Sequence, residues 1–236
     1  MHLAFRGHDL VLDPAGALVW PARRLLVVAD LHLEKGSAFA RRGCLLPPYD
    51  SHATLAQLEA LRQRWRPETI VSLGDGFHDR QGPQHLSPAL FDRLTALTRD
   101  VRWIWVTGNH DPVLPLGLGG AAVAALVLDG LTFHHEPTGA EGEIAGHLHP
   151  KARVHSRRLS LHRPCFAGDQ SRLILPASGG FTGGINVLDP MISGLFPGGF
   201  AAYLLGDECV FRFPHAVLAA DPDPQQHRIV QPCRHR

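Results

Sequence analysis

Four short apolar runs, each ending abruptly in polar side chains, constrain this chain more than any other feature of its sequence. Leu25 to Ala29 stops at Asp30, Ile70 to Leu73 at "GDGFHD", Trp103 to Thr107 at "GNHD", and Leu131 to Phe133 at "HHEP". A strand covered on both faces has no room for charge until its end, so these runs read as buried strands of a layered α/β fold. Open α/β sheets hold ligands at the carboxyl ends of their strands. That is where this chain places its polar clusters.

Helical patterns fill the intervals. Ser51 to Trp65 carries Leu55, Leu58 and Leu61 at helical spacing and stops before Pro67, and Pro88 to Thr98 carries Leu90, Leu94 and Leu97. After about Lys151 the pattern turns to short strands and Gly/Pro turns: Leu173 to Leu175, "SGGFTGG", Asn186 to Leu188, Ala201 to Leu205, and Cys209 to Phe213. These predict a second sheet packed on the first within a single domain over residues 1–220. The tail from Asp221, "DPDPQQHRIVQPCRHR", is rich in Pro, Gln and charge, a composition that predicts poor order.

Composition narrows the chemistry. The 23 Lys and Arg nearly balance the 22 Asp and Glu, and Lys35 and Lys151 are the only lysines. Broad attraction to nucleic acid is therefore weak, although local arginine clusters remain open to it. Sixteen histidines are a heavy load of the commonest metal ligand. Cys44, Cys165, Cys209 and Cys233 lie far apart, which fits reduced thiols in a cytoplasm. The N-terminus has no signal-peptide core, and the most apolar later stretch, Ala121 to Leu128, is too short to span a membrane. A soluble cytoplasmic protein is the expectation.

Divalent metals want imidazoles, carboxylates and amide oxygens gathered from several elements. The predicted strand ends supply Asp30 with His32, then Asp75, then Asn109 with His110 and Asp111, then His134 with His135, and finally His147 with His149 in "GHLHP". A spacing of two puts both members of a D-x-H or H-x-H pair on one face of an extended segment. Glycine before Asp75, Asn109 and His147 lets backbone approach a crowded site. Alone, Asp30 and His32 read as a capping acid and a core histidine, and "GDG" or "GNHD" as turns. Only the whole set, in one order, favours ligation.

That order, D-x-H, G-D, G-N-H-D, H, G-H-x-H, resembles the calcineurin-like metallophosphoesterases over about Leu25 to Pro150. More narrowly, "ADLHLEKGSAFARRG", "LGDGFHD", "EIAGHLHPKARV", "RPCF" and "TGGINVLDP" resemble the bacterial ligase-associated DNA damage response endonucleases, to roughly Pro190. The resemblance implies a four-layer α/β/β/α sandwich and a two-metal phosphodiesterase, usually manganese-dependent, acting on DNA. It implies a setting in DNA repair beside an ATP-dependent DNA ligase, a helicase and an exonuclease.

Carried over by residue, the resemblance gives Asp30, His32 and His149 to a first metal and Asp75 to a bridge between two metals. Asn109, His147 and one of the adjacent histidines go to the second metal. His135 is preferred because the family's ligand closes the strand just before the turn, leaving His134 to face the other way. His110 stays off the metals, where an imidazole can stabilise charge or protonate the leaving oxygen, and Asp111 is a candidate to orient it. The sequence departs from the family at "GDGFHD", with His78 where many members have an acid and Asp79 one residue later. Whether Asp79, Asp111 or neither steadies His110 stays open.

Two cations roughly 3.5–4 Å apart would bind phosphate oxygens, acidify a bridging water and stabilise both oxygens of an in-line displacement. No Gly-x-Ser-x-Gly elbow or phosphate-cradling loop competes with this reading. Lys35, His78, Arg153 and Arg163 are candidate substrate contacts, with Arg157 and Arg158 in the same cluster, while "SGGFTGG" reads as turns. Two alternatives stand beside the DNA reading. One is a phosphomonoesterase or cyclic-nucleotide phosphodiesterase on the same scaffold; the other is a metal-bound interaction protein with a vestigial site.

Overall fold

A computed structural model describes residues 1–44, 49–110, 117–155 and 160–222. Three antiparallel strands, β1 (His2–Phe5), β2 (His8–Leu12) and β3 (Leu18–Trp20), lead into β4 (Leu25–Ala29). From β4 the sheet continues in parallel through β5 (Thr69–Leu73), β6 (Arg102–Val106) and β7 (Ala121–Val123). The apolar runs predict β4 to β6 almost to the residue. The antiparallel strands before them carried no comparable signal.

Helices α1 (Lys35–Arg41), α2 (Asp50–Trp65), α3 (Gly82–His85) and α4 (Pro88–Asp100) occupy the crossovers of this sheet. Parallel neighbours added in one direction, each through a right-handed crossover, put their helices on one face. Accordingly Leu26, Val28, Ile70, Trp103 and Trp105 pack against Leu55, Leu58 and Leu61 of α2 and Leu90, Leu94 and Leu97 of α4. The start of α4 is fixed by Ser87, whose hydroxyl accepts from Leu90 N, with Pro88 at the first helical position. Helix α2 ends at Arg66, which turns left-handed just before Pro67.

The alternate residues of the same strands face a second sheet. It contains β8 (Leu126–Leu128), β9 (Leu131–His134), β10 (Glu143–Ala145), β11 (Pro150–His155), β12 (Ser160–Gly168), β13 (Arg172–Ile174) and β14 (Ile185–Asn186). It is completed by β15 (Ala201–Leu205), β16 (Val210–Pro214) and β17 (Leu218–Ala219). Its spatial order is β14-β11-β12-β13-β10-β9-β8, with β15 joined to β12, β16 to β15 and β17 to β11. Val27, Ala29, Val71, Leu73, Ile104 and Val106 bury against Phe133, Ile144, Phe166, Leu173 and Tyr203, so the main core lies between the two sheets. Each fully buried side chain of this size contributes about 1.5–3 kcal/mol.

On the far face of the second sheet, α5 (Pro190–Ser193) and the turns after it lay Ile192, Phe196 and Phe200 over Ala152, Val154, Cys165 and Ala167. The four-layer α/β/β/α order is thus present, with its fourth layer thin. The stretch Ala121 to Leu128 is divided, β7 closing one sheet and β8 opening the other. Among the described residues no helix is long and apolar enough to cross a membrane.

Candidate metal centre

The loops that follow β4, β5 and β10 do not continue as strands. Asp30, His32, Asp75, His147 and His149 all have left-handed backbone, with φ of +51°, +43°, +45°, +71° and +45°. The expectation that D-x-H and H-x-H pairs share a face because the segment is extended is therefore corrected. The pairs converge because the chain coils left-handedly at each member. Such a conformation costs a non-glycine residue roughly 1–3 kcal/mol and persists only when its surroundings over-determine it. Here the surroundings are the neighbouring loop: His32 N donates to Asp75 O at 2.9 Å, Leu33 N to Gly76 O at 2.9 Å and His78 N to Leu33 O at 2.9 Å.

This places two groups of ligand atoms side by side. Atoms of Asp30, His32 and His149 lie within 4.8 Å of one another, and so do atoms of Asp75, His135 and His147. His32 Nε2 is 3.1 Å from His149 Nε2, and His147 Nδ1 is 3.1 Å from His135 Nε2. Asn109 adds its Oδ1 at 2.8 Å from His135 Nε2. The two groups meet at His135, whose Nδ1 is 3.7 Å from Asp30 Oδ1 and whose Nε2 is 3.4 Å from Asp75 Oδ2.

The donor set fits divalent cations. Asp30 is completely buried, yet its Oδ1 has no hydrogen-bond partner among the described residues, an expensive state for a carboxylate oxygen that no cation satisfies. Two ligands on one ion at roughly 2.1 Å and right angles lie roughly 3 Å apart, close to both nitrogen–nitrogen separations. His135 Nδ1 faces the carbonyl of Leu73 at 3.0 Å. A carbonyl only accepts, so Nδ1 donates and Nε2 is directed to the site.

The two groups differ electrostatically. Burial pushes the His32 imidazole down to about 3, and the neighbouring His149 pushes the same way. Burial also opposes charge on His135, but its hydrogen bond to Asp75 and the charges of Asp30 and Asp75 outweigh that, lifting it to about 9. Asp75, against its own burial, is held at about 2 by the same bond to His135 and by the backbone N–H of His110. His147 is pushed down by burial and then by His135.

His110 N donates to Asp75 Oδ1 at 3.0 Å, and its Nδ1 lies 2.5 Å from the carbonyl oxygen of His78. His110 Nε2 faces the site, 3.9 Å from Asp75 Oδ2. Asp79 instead pairs with Arg41 at 2.6 Å, and Asp111 lies outside the described residues. Among the described residues, the group that faces His110 Nδ1 is thus a main-chain oxygen. His78 itself joins His32 and His110 in a third convergent group. His134 points away to the buried Glu143 at 3.1 Å.

Of the remaining candidates, Lys35 opens α1 beside the site. Burial and Lys151 lower its pKa, against Asp50. Arg153 is turned to Asp221 and Ser160, each at 3.2 Å, and Arg163 to Asp207 at 3.8 Å. Arg157 and Arg158 lie outside the described residues. The "SGGFTGG" segment does more than turn. Ser178 N and Gly179 N donate to Ala29 O and Asp30 O at 2.8 and 3.0 Å, and a Cβ on Gly179 would lie 2.2 Å from Leu31 O. Its glycines were the available signal for that close approach.

Comparison with known proteins gives the chain's relatives. Residues 23–182 match the model of the calcineurin-like phosphoesterases. Nuclease MPE of Pseudomonas putida is 31% identical with a TM-score of 0.69, over 90% of this chain and 99% of the nuclease. Yfce, a phosphoesterase from E. coli, is 17% identical with a TM-score of 0.41, over 80% of this chain and 98% of that one. Among curated proteins none matches the chain. The family match takes in both ligand groups, from Asp30 to His149, and the chain accordingly belongs to the calcineurin-like phosphoesterase family, hydrolases that use divalent metals.

Proposed function

We propose that this hydrolase is a manganese-dependent DNA endonuclease that cuts phosphodiester bonds with two metal ions. The observation that carries the reading is the meeting of the two ligand groups at His135, within 3.7 Å of Asp30 and 3.4 Å of Asp75. Asp30, His32 and His149 would hold one ion and Asn109, His135 and His147 the other, with Asp75 shared between them. When bound, the ions supply Lewis acidity to phosphate oxygens and acidify water.

The protein groups around them do the rest. His110, fixed through Nδ1 to His78 O, presents Nε2 beside Asp75. From there the imidazole can hand a proton to a leaving oxygen or stabilise charge on the phosphate. His78 and Lys35 flank the same opening and contact the substrate. The likeness to a nuclease over nearly the whole chain supports DNA over a small phosphate ester. A place in repair beside an ATP-dependent DNA ligase, a helicase and an exonuclease, in the cytoplasm, goes with that reading.

The test is a substrate panel with manganese: p-nitrophenyl phosphate, its bis ester, cyclic nucleotides, and single- and double-stranded DNA. DNA nicking with poor release of phosphate from the monoester is expected. Dominant monoester turnover, or full DNA cleavage by Asp75→Ala, would overturn the proposal.

A further inference from the structure

We infer that the hollow between α1 and the loop after β5 is a track for the DNA phosphates that flank the cleaved bond, with Arg42 and Arg80 as its contacts. This rests on the DNA reading above and adds the surface along which the strand runs. The hollow, of ≈ 530 Å³, is lined by Ala38, Arg41, Arg42, Asp79, Arg80 and Gln81.

Most guanidinium groups among the described residues are held by a carboxylate, such as Arg93 by Glu59 at 2.8 Å and Arg64 by Asp13 at 3.0 Å. Arg153 and Arg163 have their own acids. Arg42 and Arg80 are exposed and have no ion pair among the described residues. The hollow's one acid, Asp79, is already occupied by Arg41 at 2.6 Å. Its free charge is therefore positive, in a chain whose overall charge is close to zero.

The hollow also lies beside the reacting centre. Phe39 on α1 lies 5.6 Å, ring to ring, from His78, and His78 lies 5.7 Å from His110. Lys35 Nζ sits 5.8 Å from the Phe39 ring centre, so cationic groups run from the reacting centre past His78 to the hollow. After burial, Lys35 is a leading cause of the lowered His78 pKa, and Arg42 contributes too, as groups sharing one field should. A monoester or a cyclic nucleotide has no second phosphate to reach this surface. A polynucleotide does, so the track selects for polymer without reading sequence.

The test is binding of a fluorescein-labelled oligonucleotide to the full chain, without added metal, across 50–200 mM salt. Each phosphate contact contributes roughly 0.7–0.9 to the slope of log K against log salt. The Arg42→Ala/Arg80→Ala variant should bind about tenfold more weakly, with a slope shallower by about 1.4–1.8. Arg42→Lys/Arg80→Lys should restore most of the slope, because a point charge suffices, and Arg99→Ala, an exposed arginine on α4, should change nothing. Asp79→Asn, by releasing Arg41, should tighten binding. With manganese, the ratio of DNA to bis(p-nitrophenyl) phosphate kcat/KM should fall about tenfold in the double alanine variant, through KM. An unchanged slope in that variant overturns the track and leaves the nuclease reading in place. Arginine-dependent binding without cleavage overturns the nuclease reading and leaves the track; a wild type that does not bind DNA overturns both.

Discussion

The Nδ1 atom of His110 lies 2.5 Å from the main-chain oxygen of His78, which among the described residues is the group that orients this imidazole. Replacing His110 by Ala should lower kcat for DNA about 10²–10⁴-fold, the usual worth of a general acid, with metal content unchanged by elemental analysis. Asp79→Asn should leave kcat for bis(p-nitrophenyl) phosphate within about threefold, because that side chain serves Arg41. A large shift of the pH profile in Asp79→Asn would mean that a carboxylate governs His110 after all.

Glu143 anchors the turn that follows His135. Its buried carboxylate accepts from Thr138 N and Oγ1 at 2.9 Å, from Gly139 N at 2.8 Å and from His134 Nε2 at 3.1 Å. Burial opposes the charge, but these donors hold the group at about 2 instead of 4.5. The folded pKa is the lower one, so the stabilisation is complete above pH 4.5 and is lost as pH falls toward 2. A carboxyl so displaced contributes about 3 kcal/mol. Denaturant unfolding of Glu143→Gln at pH 7 should show a loss of that order, with a flatter dependence on pH between 5 and 3. A variant as stable as the wild type would refute the anchoring role.

Metal uptake should be proton-linked, and unequally so in the two groups. A metal needs neutral imidazole. His32, pushed to about 3, is neutral throughout the working range, whereas metal-free His135, lifted to about 9 between Asp30 and Asp75, carries a proton below that pH. Affinity at the Asp75, His135 and His147 group should therefore rise about tenfold per pH unit from 7 toward 9. Calorimetry at pH 7.5 in buffers of different protonation enthalpy should find about one proton released there, and His135→Gln should abolish it. Identical heats in all buffers would contradict the assignment.

The two levels of structure were unequally legible. Strands β4 to β6 and helices α2 and α4 declare themselves because burial on two faces, or on one stripe, leaves a local pattern in residue type. The convergence of Asp30, His32, Asp75, His147 and His149 was visible as residue types at strand ends, but its cause was not. Left-handed φ at five non-glycine residues is imposed by contacts such as His32 N to Asp75 O, which no local pattern encodes. For the same reason the contact of His110 Nδ1 with His78 O could not be read: a carbonyl oxygen has no residue type. Arg153 and Arg163 stand near "GHLHP" in the chain, whereas their partners Asp221 and Asp207 are distant in it.

Gly74 isolates what close approach contributes to the site. Its φ is +71°, and a Cβ built there would stand 2.2 Å from His135 Nδ1 and 2.4 Å from Cγ. The His135 ring cannot retreat, being 4% exposed and bound to Leu73 O at 3.0 Å. Gly7 has a similar φ of +82° with nothing within 4 Å of the same Cβ. Gly7→Ala should thus pay only for backbone strain, about 1 kcal/mol, and keep full activity. Gly74→Ala adds displacement of a ligand ring, and should cost about 2–4 kcal/mol in stability. Its nuclease activity should fall about 100-fold, since ångström-scale misplacement of a reacting group costs that much. Equal effects in the two variants would show that left-handed backbone, and not the room left for His135, is what glycine supplies at position 74.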